Sequence, residues 1–371
     1  MDWQISGGQA FHRDPAQLHV GELCIEGGCI AAGAADGAQR LDASGCLVLP
    51  GFVIAHHHLY SALARGMPPP PQVPTNFAEV LGQVWWRLDR ALDPELNELS
   101  ACVGALESLR CGVTGIIDHH ASPCAIAGSL TAVAAGVQRA GARAVLCYEA
   151  SNRHGEGAFE AGLAENARWL AADKAPTLAA MVGGHAPFTL SDPQLNKLAA
   201  LAAAHDVALH LHVAEAADDQ IDARRLGAEH VTERLERSGI LAGKALLAHG
   251  VQLSAAELVQ LRDAGVWLSH QPRSNMNNHV GYLSRARSFG KRLALGTDGI
   301  NGDIVAEAEV AFFRLREHDR HAAAETVWGW LANNWRLLSD AFGVPPERGF
   351  GCFAEGAPAD IVVLDYPAPT P

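Results

Sequence analysis

A chain of 371 residues with 49% hydrophobic and 19% charged residues has the composition of a globular protein with a large core. A formal net charge of −13 and a pI near 5.7, with no basic cluster to offset them, speak against a nucleic-acid or anionic-membrane partner. No apolar run reaches bilayer length, Met1-Asp2-Trp3-Gln4 lacks a signal-peptide pattern, and the eight cysteines contain no Cys-x-x-Cys pair, so a cytoplasmic protein with reduced thiols is expected.

Residues 1–45 carry short, turn-bounded segments (18–25 and 29–32) expected to form a small β-meander. Apolar runs then recur at 46–56, 114–119, 143–149, 177–183, 208–213, 245–249, 266–269 and 292–296. Helical patterns lie between them, including 94–110, 125–140, 192–204, 229–238 and 255–264. Eight fully apolar strands separated by helices predict parallel βα units closing into a (β/α)₈ TIM-like barrel over residues 46–349. Pro68, Pro69, Pro70, Pro71 and Pro74 stiffen a loop after the first barrel strand. Residues 359–365 read as a further strand, so 1–45 and 350–371 are expected to join as a small β-domain.

Polar residues collect where such barrels keep their active sites, at the C-terminal ends of strands. The first strand ends in His56-His57-His58, and the two-residue period of a strand puts His56 and His58 on one face. Two imidazoles on one face are half of a metal site. The fifth strand ends in His210-Leu211-His212-Val213-Ala214-Glu215, the sixth in Ala248-His249-Gly250 and the eighth in Gly296-Thr297-Asp298-Gly299. Titratable groups at four strand ends of one barrel complete the set.

These residues resemble the amidohydrolase superfamily, within it the cytosine/guanine deaminase and triazine chlorohydrolase branch. The resemblance covers residues 47–364. It rests on Pro50-Gly51 before the His-x-His pair, His212-x-x-Glu215, His249, His270-Gln271-Pro272-Arg273-Ser274-Asn275 and Thr297-Asp298-Gly299. Leu59-Tyr60-Ser61-Ala62-Leu63-Ala64-Arg65-Gly66, Asp118-His119-His120-Ala121-Ser122-Pro123 and Ser274-Asn275-Met276-Asn277-Asn278 are most similar to the SsnA group of aminohydrolases.

The resemblance implies that His56, His58, His212 and Asp298 hold one divalent metal, Zn²⁺ in the first place and Fe²⁺ as the alternative. Dinuclear members need a bridging lysine at the end of strand four. Here that strand ends Met181-Val182-Gly183-Gly184-His185, and the nearest lysine, Lys174, precedes it. The site is therefore expected to be mononuclear, with hydroxide available near neutral pH. Asp298 would take the proton of the attacking water, Glu215 would act as general acid/base, and His249 would stabilise the tetrahedral intermediate.

The implied activity is hydrolytic deamination of an amino-substituted purine, pyrimidine or pterin-like heterocycle with release of ammonia. The alternatives are a chlorohydrolase acting on a triazine-like ring and a catalytically silent scaffold barrel. His185, Arg65, Arg153, His119, His270 and Asn275 are expected as substrate contacts. His57 and His210 are expected to be structural, Trp85 and Trp86 to be core residues, and the charge run 218–225 to be a solvated helix face. Members of the branch continue past the strand equivalent to 360–364. The small domain is thus expected to be shortened at its C-terminus, or its open edge to be covered by another subunit; a homodimer is usual in the branch.

Overall fold

The computed structural model describes residues 2–13 and 16–366. Numbering only the strands of the barrel, the apolar runs become β1 (Phe52–His57), β2 (Val113–His120), β3 (Arg143–Tyr148), β4 (Leu178–Ala180, resumed at Val182–Gly183), β5 (Leu209–Val213), β6 (Ala245–His249), β7 (Trp267–His270) and β8 (Leu293–Leu295). All pair in parallel with their sequence neighbours. β1 to β4 form one ladder, and the second half of β4 opens the next, which runs on to β8. Bridges between Ala150 and Gly184 and between His57 and Asp298 join the two ladders at the strand ends. Thr297 N and Asp298 N donate to His56 O at 2.9 and 3.1 Å, and His58 N donates to Asp298 O at 3.3 Å, so β8 closes against β1 where the histidines lie. This is the TIM-barrel fold. Its strands are buried on both faces, which is why they read as continuous apolar runs.

The helices begin where the sequence supplies caps. Asp93 accepts from Leu96 N ahead of Pro94–Arg110, with Pro94 opening the first turn. Ser191 with Gln194 and Ser254 with Glu257 form capping boxes ahead of Asp192–Ala204 and Ala255–Asp263.

Two expectations are corrected. The run 46–56 is not one strand. Leu47–Pro50 pairs antiparallel with Ile361–Leu364 and parallel with Gln9–Arg13, and only Phe52–His57 enters the barrel. The chain turns at Gly51, where a Cβ would fall 2.2 Å from Thr114 Oγ1, so no other residue fits that approach. Nor do the chain ends make a simple meander. They form two four-stranded sheets that include parallel pairings of Trp3–Ser6 with Gln39–Asp42 and of Gln9–Arg13 with Leu47–Pro50. Ile5, Leu23, Ile25, Ile30, Val48 and Ala357 give these sheets their own small core. Arg143 ties them to the barrel through two 3.0 Å bonds to Asp360.

One buried ion-pair network holds the loop after β4. Arg234 is fully buried, donates to Asp192 and Asp222 at 2.8 Å each, and also donates to the carbonyls of Pro187 and Leu190. Arg234→Ala leaves buried carbonyls and a carboxylate without their partner, so it is expected to lower stability by roughly 3–5 kcal/mol. Urea denaturation followed by circular dichroism measures this, and a loss below about 1 kcal/mol would contradict it. Among the described residues no helix is long and apolar enough to cross a membrane.

Candidate metal centre and substrate pocket

Three strand ends leave the barrel through the left-handed region: Ala214 at φ 52°, His249 at φ 77° and Asp298 at φ 55°. Non-glycine residues hold this conformation only where their surroundings over-determine it, at a cost of about 1–3 kcal/mol each. His249 and Asp298 belong to the cluster of titratable side chains at the barrel mouth, and Ala214 leads into Glu215 beside them.

Four imidazoles there are oriented by their Nδ1 atoms. His56 Nδ1 meets His210 Nε2 at 2.8 Å, and His58 Nδ1 meets the His119 carbonyl at 2.6 Å. His212 Nδ1 meets the His185 carbonyl at 3.0 Å, and His249 Nδ1 meets Asn275 Oδ1 at 2.9 Å. Each acceptor fixes the Nδ1–H tautomer and leaves Nε2 as a bare lone pair. Those Nε2 atoms converge on Asp298. Its Oδ1 lies 2.9 Å from His58 Nε2 and 3.3 Å from His56 Nε2, and His58 Nε2 lies 3.1 Å from His212 Nε2. One donor atom from each of His56, His212, His249 and Asp298 lies within 4.8 Å of the others. The second carboxylate oxygen of Asp298 accepts from Ser274 Oγ.

This donor set fits a divalent cation. His56 Nε2 is buried without a hydrogen-bond partner, a state that costs free energy unless something electron-deficient meets it. Burial, above all, holds His56 down to about 3 and His212 well below the usual range, the neutral form a ligand needs. Burial also pulls His58 down, but hydrogen bonding to Asp298 and the Asp298 and Glu149 charges push it up to about 9. A carboxylate among four imidazoles thus recruits positive charge to this point, as a proton or as a metal ion. Each ring has its Nδ1 engaged and offers one donor, so none can bridge two ions.

Glu215 follows the turn at Ala214. Asn278 Nδ2 donates to its Oε1 at 3.1 Å, and its Oε2 lies 3.6 Å from His249 Nε2. Burial, reinforced by the Asp298 charge, raises Glu215 to about 7. Asp219 supports the turn beneath it by accepting from Ala214 N at 2.6 Å and Phe188 N at 3.0 Å.

The cavity of about 40 Å³ above the cluster is lined by His58, Tyr60, His185, His212, Glu215 and Asp298 on the barrel side. Phe77, Leu81, Trp85 and Trp86, from the long connection after β1, form its cover. Trp85 leans on Gly299, where a Cβ would fall 2.2 Å from the indole.

Of the expected substrate contacts, His185 and Arg153 line this cavity, whereas Arg65, His119, His270 and Asn275 do not. Arg65 is 67% exposed and paired with Glu107. His270 turns the other way. Ser269, its neighbour on β7, packs inward near Gly296, so the pleat sends His270 out against Tyr282 and Trp330. His119 lies deeper, stacked on His210 at 4.3 Å between ring centres, and Asn275 orients His249. Trp85 packs against the small core of Tyr60, Leu88 and Leu92, as expected, while Trp85 and Trp86 also cover the cavity. One further reading is corrected: the run 218–225 contains Asp219, which is buried under the Glu215 turn. Glu149, Asp89, Asn278 and Ser274 carried no spacing signal of their own. A carboxylate closing the apolar run Val145-Leu146-Cys147-Tyr148-Glu149 was the one available hint.

The amidohydrolase family profile matches residues 47–371. The chain belongs to the amidohydrolase family. It is a hydrolase of carbon–nitrogen bonds. The 8-oxoguanine deaminase of Pseudomonas aeruginosa is 30% identical over 88% of this amidohydrolase and 76% of its own length. The 5-methylthioadenosine/S-adenosylhomocysteine deaminase of Desulforudis audaxviator is 29% identical over 93% and 80% respectively. Among solved structures, an adenosine deaminase from Xanthomonas campestris with bound zinc superposes with a TM-score of 0.83 at 23% identity, covering 99% of this chain and 85% of that one. The atrazine chlorohydrolase TrzN from Arthrobacter aurescens TC1, complexed with zinc, gives 0.78 at 21% identity, covering 99% and 88%. These structural likenesses speak to the fold.

Proposed function

We propose that this amidohydrolase is a metal-dependent deaminase that releases ammonia from an amino-substituted N-heterocycle. The convergence of four Nε2 lone pairs on Asp298, with Glu215 beside them, carries this reading. The deaminases among its relatives support it.

His56, His58, His212 and Asp298 would hold the cation, with His249 Nε2 directed at the same point. Neutral imidazoles and one carboxylate suit Zn²⁺. Bound there, the ion would supply Lewis acidity and lower the pKa of water.

The chain's own groups manage the protons. Asp298, and His249 through its bare Nε2, accept a proton from the attacking water as its oxygen bonds to the amine-bearing carbon. Glu215, raised by burial to about 7, delivers a proton to the adjacent ring nitrogen. Collapse of the tetrahedral carbon breaks the carbon–nitrogen bond, and the proton taken from water leaves with the amine as ammonia. As the carbonyl forms, the second proton of water passes from the new hydroxyl to Glu215 and replaces the one it gave to the ring nitrogen, so the step balances. Asn278 holds Glu215 Oε1, which leaves Oε2 for the transfer.

Ammonia release by Zn-loaded protein across aminopurines, aminopyrimidines, pterins and aminotriazines tests the proposal, with chloride followed on chlorotriazines. Ammonia from at least one class is expected. Chloride release alone would replace the reading with dechlorination.

A further inference from the structure

The cavity wall away from Glu215 carries charge that the deamination step does not use. Glu149, Asp89 and Arg153 all line the cavity. Arg153 Nη1 donates to Asp89 Oδ2 at 2.9 Å, its Nε donates to Ser151 Oγ at 3.2 Å, and its guanidinium lies 4.9 Å above the Trp86 ring. Nη2 has no partner among the described residues. Asp89 Oδ1, Glu149 Oε2 and Trp86 Nε1 are buried and likewise without partners. Buried acceptors left unmade are costly, and this wall leaves two carboxylate oxygens in that state beside one guanidinium N–H.

His185 fixes the hydrogen-bonding sense of Glu149. Thr189 Oγ1 donates to the Ala186 carbonyl and therefore accepts from His185 Nδ1 at 2.9 Å. His185 Nε2 then carries no proton of its own and faces Glu149 Oε1 at 3.3 Å, so the two share one proton. Whichever holds it, Glu149 Oε2 stays an acceptor. One donor atom from each of Glu149, His185 and His212 lies within 4.8 Å of the others, which places this pair directly beside the metal cluster.

We propose that Glu149 and Arg153 select substrates bearing a lactam edge, a ring carbonyl next to a ring N–H, as in free 2-amino-oxopurine and 2-amino-oxopyrimidine bases. Glu149 Oε2 accepts from the N–H and Arg153 Nη2 donates to the carbonyl. The inference rests on the deaminase reading and narrows it. An adenine ring offers neither group, because its remaining edge atoms are acceptors that would face the carboxylates. Ribose hydroxyls could meet the same carboxylates, so nucleosides belong among the compounds compared.

The test compares guanine and isocytosine with adenosine and 5-methylthioadenosine on Zn-loaded protein, in the parent, Glu149→Gln and Glu149→Ala. Binding of isocytosine and adenosine to the Glu215→Gln protein is followed by calorimetry. The expected kcat/KM favours the lactam bases by roughly 10²-fold or more, since a site built to bond a polar group rejects analogues lacking it. Glu149→Ala should raise KM for the lactam bases at least tenfold, and Glu149→Gln, which keeps one acceptor oxygen, should restore part of the loss. A preference for the nucleosides, or an unchanged ratio in Glu149→Ala, would overturn the selection and assign the carboxylates to ribose hydroxyls. If no compound releases ammonia, the deaminase reading fails by itself. The calorimetric preference for isocytosine, and its loss when Glu149→Ala is added, then decides the lactam edge separately.

Discussion

Glu215→Gln is expected to lower kcat for ammonia release by about 10²–10⁴-fold, the range lost with a positioned general acid. Glutamine has the same shape and can still accept from Asn278 Nδ2, which now donates to Glu215 Oε1 at 3.1 Å. It cannot carry the proton that burial holds on Glu215 up to about 7. Metal content and thermal unfolding should match the parent, because Glu215 is not placed among the proposed ligands. Kinetics, metal analysis and unfolding measured on one preparation separate the two effects. Residual activity within tenfold of the parent would remove Glu215 from its role, and a loss of metal would make it a ligand.

The second large effect concerns the donor set, in graded form. Asp298→Ala removes the carboxylate that His56 and His58 both face. It should cost more than 10²-fold in Zn²⁺ affinity and abolish turnover. His210→Ala removes no proposed ligand. It takes away the acceptor that fixes His56 Nδ1 and should therefore cost only about 10–100-fold, as outer partners do. Competition with a chromogenic chelator measures both. Equal losses would mean that His210 itself holds the ion, and no loss in Asp298→Ala would place the ion elsewhere.

The parts of this molecule legible in the sequence were those governed by strict periods. The two-residue repeat put His56 with His58, and the rule that barrel sites sit at strand ends added His212, Glu215, His249 and Asp298. His210 was legible as a supporting residue for the same reason, one pleat below His212. What failed depended on contacts between distant residues. Gly51 breaks the first apolar run because Thr114, far along the chain, occupies the space beside it. His270 was expected to touch substrate, yet its pleat faces the helix Ala324–Phe342, which carries Trp330. Arg65 follows the first strand, as expected of a substrate contact, but Glu107 holds it at the surface. Glu149 and Asp89 were passed over because a single carboxylate has no spacing to betray it. Their importance lies in burial and in missing partners, which only the fold displays.

The metal-to-chain ratio of the purified protein, by elemental mass spectrometry after equilibration with Zn²⁺ and gel filtration, tests the central claim most directly. Each imidazole has spent its Nδ1 on an outer acceptor, and strand four ends without a bridging lysine. One ion per chain is the predicted result. Two ions per chain, or none in a fully folded protein, would contradict it.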